Sequence, residues 1–387
     1  MFSFHPCTPD DKADWDAFVR RSRNGVFLFE RSYMDYHADR FADASVIVHA
    51  APDDGKKTTN APARLEAGGM DDASLATNPS RRASSCKTEG VISDATGASG
   101  AAASGARSPQ RKASEILAVL PAHRVERDGR TLFVSHGGLT FGGLVMAGKL
   151  GGHQVLHLFR ALLPWLRAQG FDEFIYKATP HIYHRLPSED DIYALHQLGA
   201  QTTQVQLSST LDLQRDAPDS QQYRRALATA RKAGIEVARC DFRDFWPVLT
   251  ENLQTRHGVA PVHSLAEIEL LANHFPDRIE AIGGWHTING KRSLHGGAVL
   301  YHYDGVTHCQ YLASSSAGHE TLAQHTAVTA AIHQARAGGQ RWFSFGTSTT
   351  EGGRLLNEGL LRRKEMFGAR STILQTLTLV LDERFDA

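Results

Sequence analysis

Helical spacing and alternation of apolar residues divide this chain into a long series of short elements. Across Asp241–Arg256, Phe242, Phe245, Trp246, Leu249 and Leu253 fall along one side of a helix, and at 153–169 Val155, Leu156, Phe159, Leu162, Leu163 and Leu166 do the same. Helices are also predicted at about 10–22, 30–41, 189–198, 220–234, 319–337 and 353–366. Another starts after Ser264, where Ser264 and Glu267 have capping-box spacing. Strands are predicted at 45–49, 115–123, 131–135, 173–177, 203–213, 235–239, 279–287, 293–302, 306–313, 341–346 and 371–381. Asn289-Gly290 and Asp304-Gly305 are two-residue hairpin signals between three of them.

One stretch carries no such pattern. Ala51–Ser114, 64 residues, contains no Phe, Trp or Tyr, and 30 of its residues are Ala, Ser or Gly. That composition buries too little apolar surface to offset chain entropy, so the segment is predicted to be a disordered, low-complexity insert. Its Arg-Arg-Ala-Ser-Ser run at 81–85 fits an inert insertion, a phosphorylation site or a basic tether. Strand-like runs flank it on both sides. Expanding a hairpin turn to this length costs roughly 2–2.5 kcal/mol, because closure entropy grows only logarithmically.

With the insert set aside, the order β-α-α-β-β-β-α-β-α-β occurs twice. The chain is therefore read as an α/β (α+β) protein of two similar halves, each a mixed, mostly antiparallel sheet flanked by helices. The halves are residues 1–50 plus 115–215, and residues 216–387, bridged by a basic amphipathic helix at 220–234. Lys plus Arg and Asp plus Glu are both 42, which argues against a general nucleic-acid coat but leaves room for a local basic patch. No apolar run approaches the roughly 18–20 residues of a membrane helix. The start reaches Asp10, Asp11 and Lys12 without the layout of a signal peptide. Cys7, Cys86, Cys240 and Cys309 are far apart and show no CxxC spacing. These features lead us to expect a cytoplasmic protein without stable membrane insertion.

Four segments sharpen the reading: Ser135-His-Gly-Gly-Leu-Thr-Phe-Gly-Gly143, Tyr176-Lys-Ala-Thr-Pro-His-Ile-Tyr-His184, Phe343-Ser-Phe-Gly-Thr-Ser348 and Lys364-Glu-Met-Phe-Gly-Ala-Arg370. With the element order they resemble tandem domains of the GNAT (Gcn5-related acyltransferase) superfamily, in particular the Fem-type ligases and their polysaccharide-biosynthesis relatives. The resemblance implies two tandem GNAT-like domains, the acceptor on the first-half side and the donor in the second half. It implies an N-acyltransferase taking an acyl group from acyl-coenzyme A to an amine of an amino-sugar or a nucleotide- or lipid-linked cell-envelope precursor. An aminoacyl-tRNA-dependent ligase is the alternative, disfavoured by the zero net charge; a non-catalytic module that binds a glycan precursor is a third.

Coenzyme A would lie at Ser314, Ser315, Ser316, Gly318 and His319, where backbone N–H groups before a helix hold a diphosphate. Here Ser315 stands where the family has Gln or Arg, and Glu320 where it has a small residue; the same segment also fits a plain helix cap. The resemblance picks out Lys364 to stabilise developing negative charge, the other reading being a solvated lysine paired with Glu358 or Glu365. Glu351 and His308 are candidate bases. His308 alternates with Gln310, so both are expected on one side of a strand. The glycine-rich loop from Gly137 to Gly152 reads as a phosphate nest or as a plain turn. Acceptor contacts are expected from Tyr33, Tyr36, Arg40, Ser135, His136, Lys177, His181, Tyr183, His184 and Gln310. His319 and His325, six apart, would face different ways on one helix, and with no HExxH no metal site is expected.

Overall fold

A computed structural model of the chain describes residues 2–51, 115–215 and 221–386. The expected insert, beyond Ala51, lies outside the described residues, as does Ser220 at the start of the bridging helix. The first half runs β1 (Phe2–Pro6), α1 (Lys12–Arg21), α2 (Arg31–Met34), β2 (Ala42–Asp43), β3 (Val46–Ala50), β4 (Ile116–Leu120), β5 (His123–Arg127), β6 (Arg130–Val134), β7 (Val145–Met146), α3 (Gly152–Ala168), β8 (Glu173–Lys177), α4 (Asp190–Gln197) and β9 (Gln201–Asp212). The second runs α5 (Gln221–Lys232), β10 (Glu236–Cys240), α6 (Phe242–His257), α7 (Leu265–His274), β11 (Ile279–Ile288), β12 (Lys291–Tyr303), β13 (Val306–Ser314), α8 (Ser316–Thr321), α9 (Ala323–Ala337), β14 (Trp342–Thr347), β15 (Thr349–Thr350), β16 (Leu355–Leu356), α10 (Glu358–Glu365) and β17 (Arg370–Val380). Among the described residues no helix is long and apolar enough to cross a membrane.

Most departures from the sequence pattern have local causes. The strand expected at 115–123 is two strands in two sheets, divided at Pro121, which has no N–H to donate to a ladder. The two sides of the insert pair as a hairpin, Val46 opposite Leu120 and His49 opposite Ile116. Asn289 (φ 50°) and Gly290 (φ 76°) turn β11 into β12, and Gly305 (φ 85°) turns β12 into β13. The helix expected at 319–337 is instead α8 and α9, broken where Leu322 takes a left-handed conformation (φ 56°). The helix expected at 353–366 starts only at Glu358. Gly353 (φ 99°) packs so closely on β9 that a Cβ there would stand 2.0 Å from the Val205 carbonyl oxygen.

Eleven strands form one sheet in the order β10-β11-β12-β13-β14-β9-β17-β8-β6-β5-β2, and β1-β3-β4-β7 form a second. The centre of the large sheet is where the halves meet, and they meet by exchange. β9 closes the sequence of the first half yet pairs with β14 of the second, and β17 pairs with β8 of the first. β9 and β17 also pair with each other over Thr210↔Arg370 to Gln201↔Thr378. A cut at 215/216 therefore divides the sequence but not the sheet. One core cluster likewise joins Trp15, Phe27, Phe29 and Tyr33 to Phe245, Phe275, Tyr301 and Tyr303. A second packs α3 and β8 against Leu377 and Leu379 of β17, and a third packs Ala327, Val328, Ala331 and Ile332 of α9 against Phe343 and Phe345.

Candidate active site

β13 and β14 run parallel and pair only from Val306–His308 to Trp342–Ser344. Beyond that they part, and α6, α9 and α10 wall a cavity of about 570 Å³ beside the opening. Its lining includes Cys309, Gln310, Leu312 and Ser314 from β13, Phe345 and Thr347 from β14, and Lys364 and Phe367 at the end of α10. Gln310 is the extra residue of a β-bulge: Tyr311 faces Val299 and Cys309 faces Leu300, leaving Gln310 with no opposite number on β12. A bulge breaks alternation and re-aims a side chain. That is why Gln310 reaches the cavity while His308 does not. His308 is buried 3.1 Å from both the Tyr183 hydroxyl and Ser344 Oγ, and burial, with the nearby Lys364 charge, holds it down to about 4.

Lys364 is the chemical centre of the cavity. Its side chain is buried, and Nζ donates to the carbonyl oxygens of Gly346 (2.8 Å) and Thr347 (2.6 Å). Gly346 has φ 71°, a conformation that turns its carbonyl away from the strand ladder and that glycine adopts without strain. Burial lowers the Lys364 ammonium to about 8, while two acceptors that need an N–H donor favour its charged form. The solvated lysine paired with Glu358 is not what forms: Glu358 accepts from Arg362 at 2.8 Å. Arg256 of α6 and Arg363 of α10 add two guanidinium groups to the lining, and none of the described lining residues is Asp or Glu.

The segment Ser314–Glu320 is not an open donor loop. Ser315 caps α8, its Oγ accepting from the Gly318 N–H (3.1 Å) and donating to the His295 carbonyl (3.1 Å). Gly318 serves close packing, since a Cβ there would stand 1.8 Å from the His295 oxygen. Ser314, Gly318 and His319 still line the cavity, whereas Ser315, Ser316 and Glu320 do not. Because the chain breaks at Leu322, His319 and His325 sit on different helices and line the same cavity, contrary to the single-helix expectation. Glu351 is exposed on a short turn and is not part of the lining.

Of the residues expected to bind acceptor, Gln310 of the second half lines this cavity and those of the first half do not gather at it. Tyr33 is buried among Phe27, Phe275 and Tyr301, Tyr36 stacks on His263, and Arg40 ion-pairs with Glu267 at 2.7 Å. Tyr183 is buried against Phe141 and Tyr303; His184 Nε2 lies 3.1 Å from the Thr179 carbonyl. His181 lines a separate hollow of about 420 Å³ with Trp342, Thr210 and Arg370. The glycine-rich loop closes the first half's equivalent of the donor opening. β6 and β8 pair in parallel only from Leu132–Val134 to Glu173–Ile175, and the chain after Ser135 then fills the gap. The Gly142 N–H donates to the Lys177 carbonyl (2.9 Å), the Lys177 N–H to Ser135 Oγ (2.7 Å), and Lys177 Nζ to the Leu139 carbonyl. The Gly137 N–H donates to His123 Nδ1 (3.0 Å), and His136 is buried among His37, Phe41 and His123. These groups are spent on packing within the first half. The sequence reading missed Asn252, Arg256, Gln324 and Arg363, ordinary polar residues on amphipathic helices whose shared direction only the fold reveals.

A pair of parallel strands that part occurs in both halves and stays open only in the second, the arrangement the resemblance to tandem GNAT-like domains leads one to expect. No protein-family model matches the chain, and no curated protein sequence matches it. In shape it is similar to the crystal structure of FemX, with 11% identity over 99% of this chain and 98% of that one and a TM-score of 0.60. A conserved protein of unknown function from Bacteroides thetaiotaomicron is similar over 99% and 100% of the two chains, with 10% identity and a TM-score of 0.52. A tandem GNAT protein from the clavulanic acid biosynthesis pathway overlaps 99% of each chain at 10% identity and a TM-score of 0.46. The first two likenesses carry the fold: the chain shares the architecture of the FemX structure along its whole length.

Proposed function

We propose that this protein is an acyltransferase that binds acyl-coenzyme A in the second-half cavity and acylates an amine of an amino-sugar or small envelope precursor. The observation that carries this reading is Lys364, an ammonium buried at the wall of a cavity with no carboxylate among its described lining residues. Its Nζ has three N–H bonds, two of them given to carbonyls, and the third is available to a ligand. Attack of a neutral amine on the donor carbonyl produces a tetrahedral oxyanion, and a preorganised cation in a dry site stabilises that charge where it develops. Collapse expels the coenzyme A thiolate, and the proton lost by the amine leaves through water, because neither His308 nor Glu351, the bases expected from the sequence, lines the cavity.

A thermal-shift and turnover assay with acetyl-coenzyme A and a panel of amino-sugars tests this. Saturable stabilisation and thiol release that depends on Lys364 are expected; no response to acyl-coenzyme A would defeat the donor assignment. A second reading, with aminoacyl-tRNA as donor, is favoured by one observation: Ser315, not a free loop, occupies the Gly318 N–H. Stabilisation by charged tRNA with none by coenzyme A would select it.

A further inference from the structure

We propose that Arg256, His319 and Arg363 form a side-chain clamp for a phosphate-bearing handle of the donor, at the outer rim of the cavity whose inner wall holds Lys364. The proposal rests on the donor reading above and changes where the anion is held. All three residues line the cavity, all three are exposed, and each comes from a different helix: α6, α8 and α10. Arg256 Nη2 lies 2.6 Å from His319 Nε2. A guanidinium can only donate, so that nitrogen accepts and the imidazole is neutral. His319 is lowered below the usual histidine range by partial burial and then by the charges of Arg256 and Arg363, which places both cations around one ring.

Other arginines show how unusual this is. Arg362, next along α10, is matched by Glu358, and Arg40, Arg185, Arg243 and Arg278 all pair with carboxylates. At the rim two guanidiniums converge with no described carboxylate in the lining to neutralise them. Planar guanidinium forks match phosphate oxygens in geometry as well as charge. A phosphate between them would replace mutual repulsion with two charge-assisted pairs, and His319 would add a donor from Nδ1. His325 lines the same cavity, and its Nε2 is buried with no hydrogen-bond partner among the described residues. Two backbone N–H groups of the Ser314–Gly318 segment are already taken, that of Gly318 by the Ser315 hydroxyl and that of Ser315 by the His295 carbonyl.

Calorimetric titration of the full chain with inorganic diphosphate, coenzyme A and an acceptor-stem RNA hairpin tests the clamp. Diphosphate is expected to bind and to compete with the donor that binds. Arg256→Gln and Arg363→Gln should each weaken diphosphate by about tenfold or more, with unchanged melting because both side chains are exposed. Arg362→Gln should leave it unaltered. Loss of coenzyme A affinity in the same two variants supports the clamp with a small-molecule donor. If the wild type binds the RNA hairpin and not coenzyme A, loss of RNA affinity in the same two variants supports the clamp with a polynucleotide donor, and then the acyl-coenzyme A reading falls while the clamp stands. Absence of diphosphate binding by the wild type, or undiminished affinity in both variants, overturns the clamp. Coenzyme A binding that survives both substitutions overturns it while leaving the donor reading intact.

Discussion

At the residue scale the central fact is the buried ammonium of Lys364 and its two carbonyl acceptors. Lys364→Met is expected to lower kcat by about 10²–10³, the usual loss when one preorganised charge contact is removed. It also strands the carbonyls of Gly346 and Thr347, so a stability loss of about 1–3 kcal/mol accompanies it. A pH profile separates the charged role from a base role. Lys364 is held at about 8, so acyl transfer that needs the ammonium declines above pH 8, whereas a base would gain activity through the same range. Folding runs the other way. Between about 8 and the ordinary lysine value the unfolded chain binds more protons than the folded one, so the contribution of this lysine to stability rises with pH. Lost activity above pH 8 with undiminished stability in urea would identify the ammonium. The first-half histidines give a second expected outcome. His37, His123 and His136 pack around Phe41, and burial holds His37 to about 4 and His136 to about 2, with His123 lowered as well. Folded, they are neutral, so stability is lost as pH falls below the ordinary histidine value of about 6.5, where only the unfolded chain takes up protons. Among the described residues neither ring nitrogen of His37 has a hydrogen-bond partner. His37→Phe should therefore reduce the stability difference between pH 7 and pH 5, measured by urea unfolding; an unchanged difference would remove His37 from the account.

At the element scale, close approach of a helix to the sheet shapes the cavity. α9 begins against β11 and β12, where Gly284 and Gly296 provide the room. A Cβ on Gly284 would stand 2.5 Å from the Ala323 carbonyl oxygen, and one on Gly296 would stand 3.1 Å from the Gln324 backbone nitrogen. Backbone cannot yield as a side-chain tip can, so Gly284→Ala should cost about 1–3 kcal/mol and push the start of α9, with Gln324 and His325, out of register with the cavity. Weaker donor binding in that variant, with an unaltered first-half core, is the expected pattern. Equal affinity in calorimetry would show that the start of α9 does not shape the donor site. The glycines of β11 and β12 stand in the sequence, but their purpose does not show there, because the helix that needs the room starts 39 residues after Gly284.

At the scale of the whole molecule, the exchange of β9 and β17 ties the halves together. Each half supplies a strand that the other needs, and an aromatic cluster of Phe27, Tyr33, Phe275 and Tyr301 seals their contact. Unfolding should be a single cooperative transition, coincident by near-ultraviolet circular dichroism and tryptophan fluorescence. Two separated transitions would contradict the exchange. The ends of β3 and β4 meet directly, the Ala50 N–H donating to the Glu115 carbonyl at 3.3 Å. Replacing residues 52–113 by a short turn should accordingly leave folding and donor binding intact, and loss of cooperative melting in that deletion would count against it.

Local physical chemistry made the elements legible from the sequence. Apolar spacing placed α3, α6 and β8, the Ser264–Glu267 box placed the start of α7, and Asn289-Gly290 placed a hairpin, because each depends on neighbours a few residues away. Lys364 was legible as well, through its likeness to a family motif rather than through any local pattern. What tertiary structure alone decided are the non-local matters. Which half keeps its opening was decided by a loop folding back on Lys177. Which side of β13 Gln310 faces was decided by a bulge. That His319 and His325 share a wall was decided by one left-handed residue, Leu322. The rim cations Arg256 and Arg363 lie more than 100 residues apart, and only packing of α6 and α10 around one cavity gives them a common direction. A short-range code records propensity and periodicity; convergence of distant side chains depends on chain crossings that no window of sequence contains.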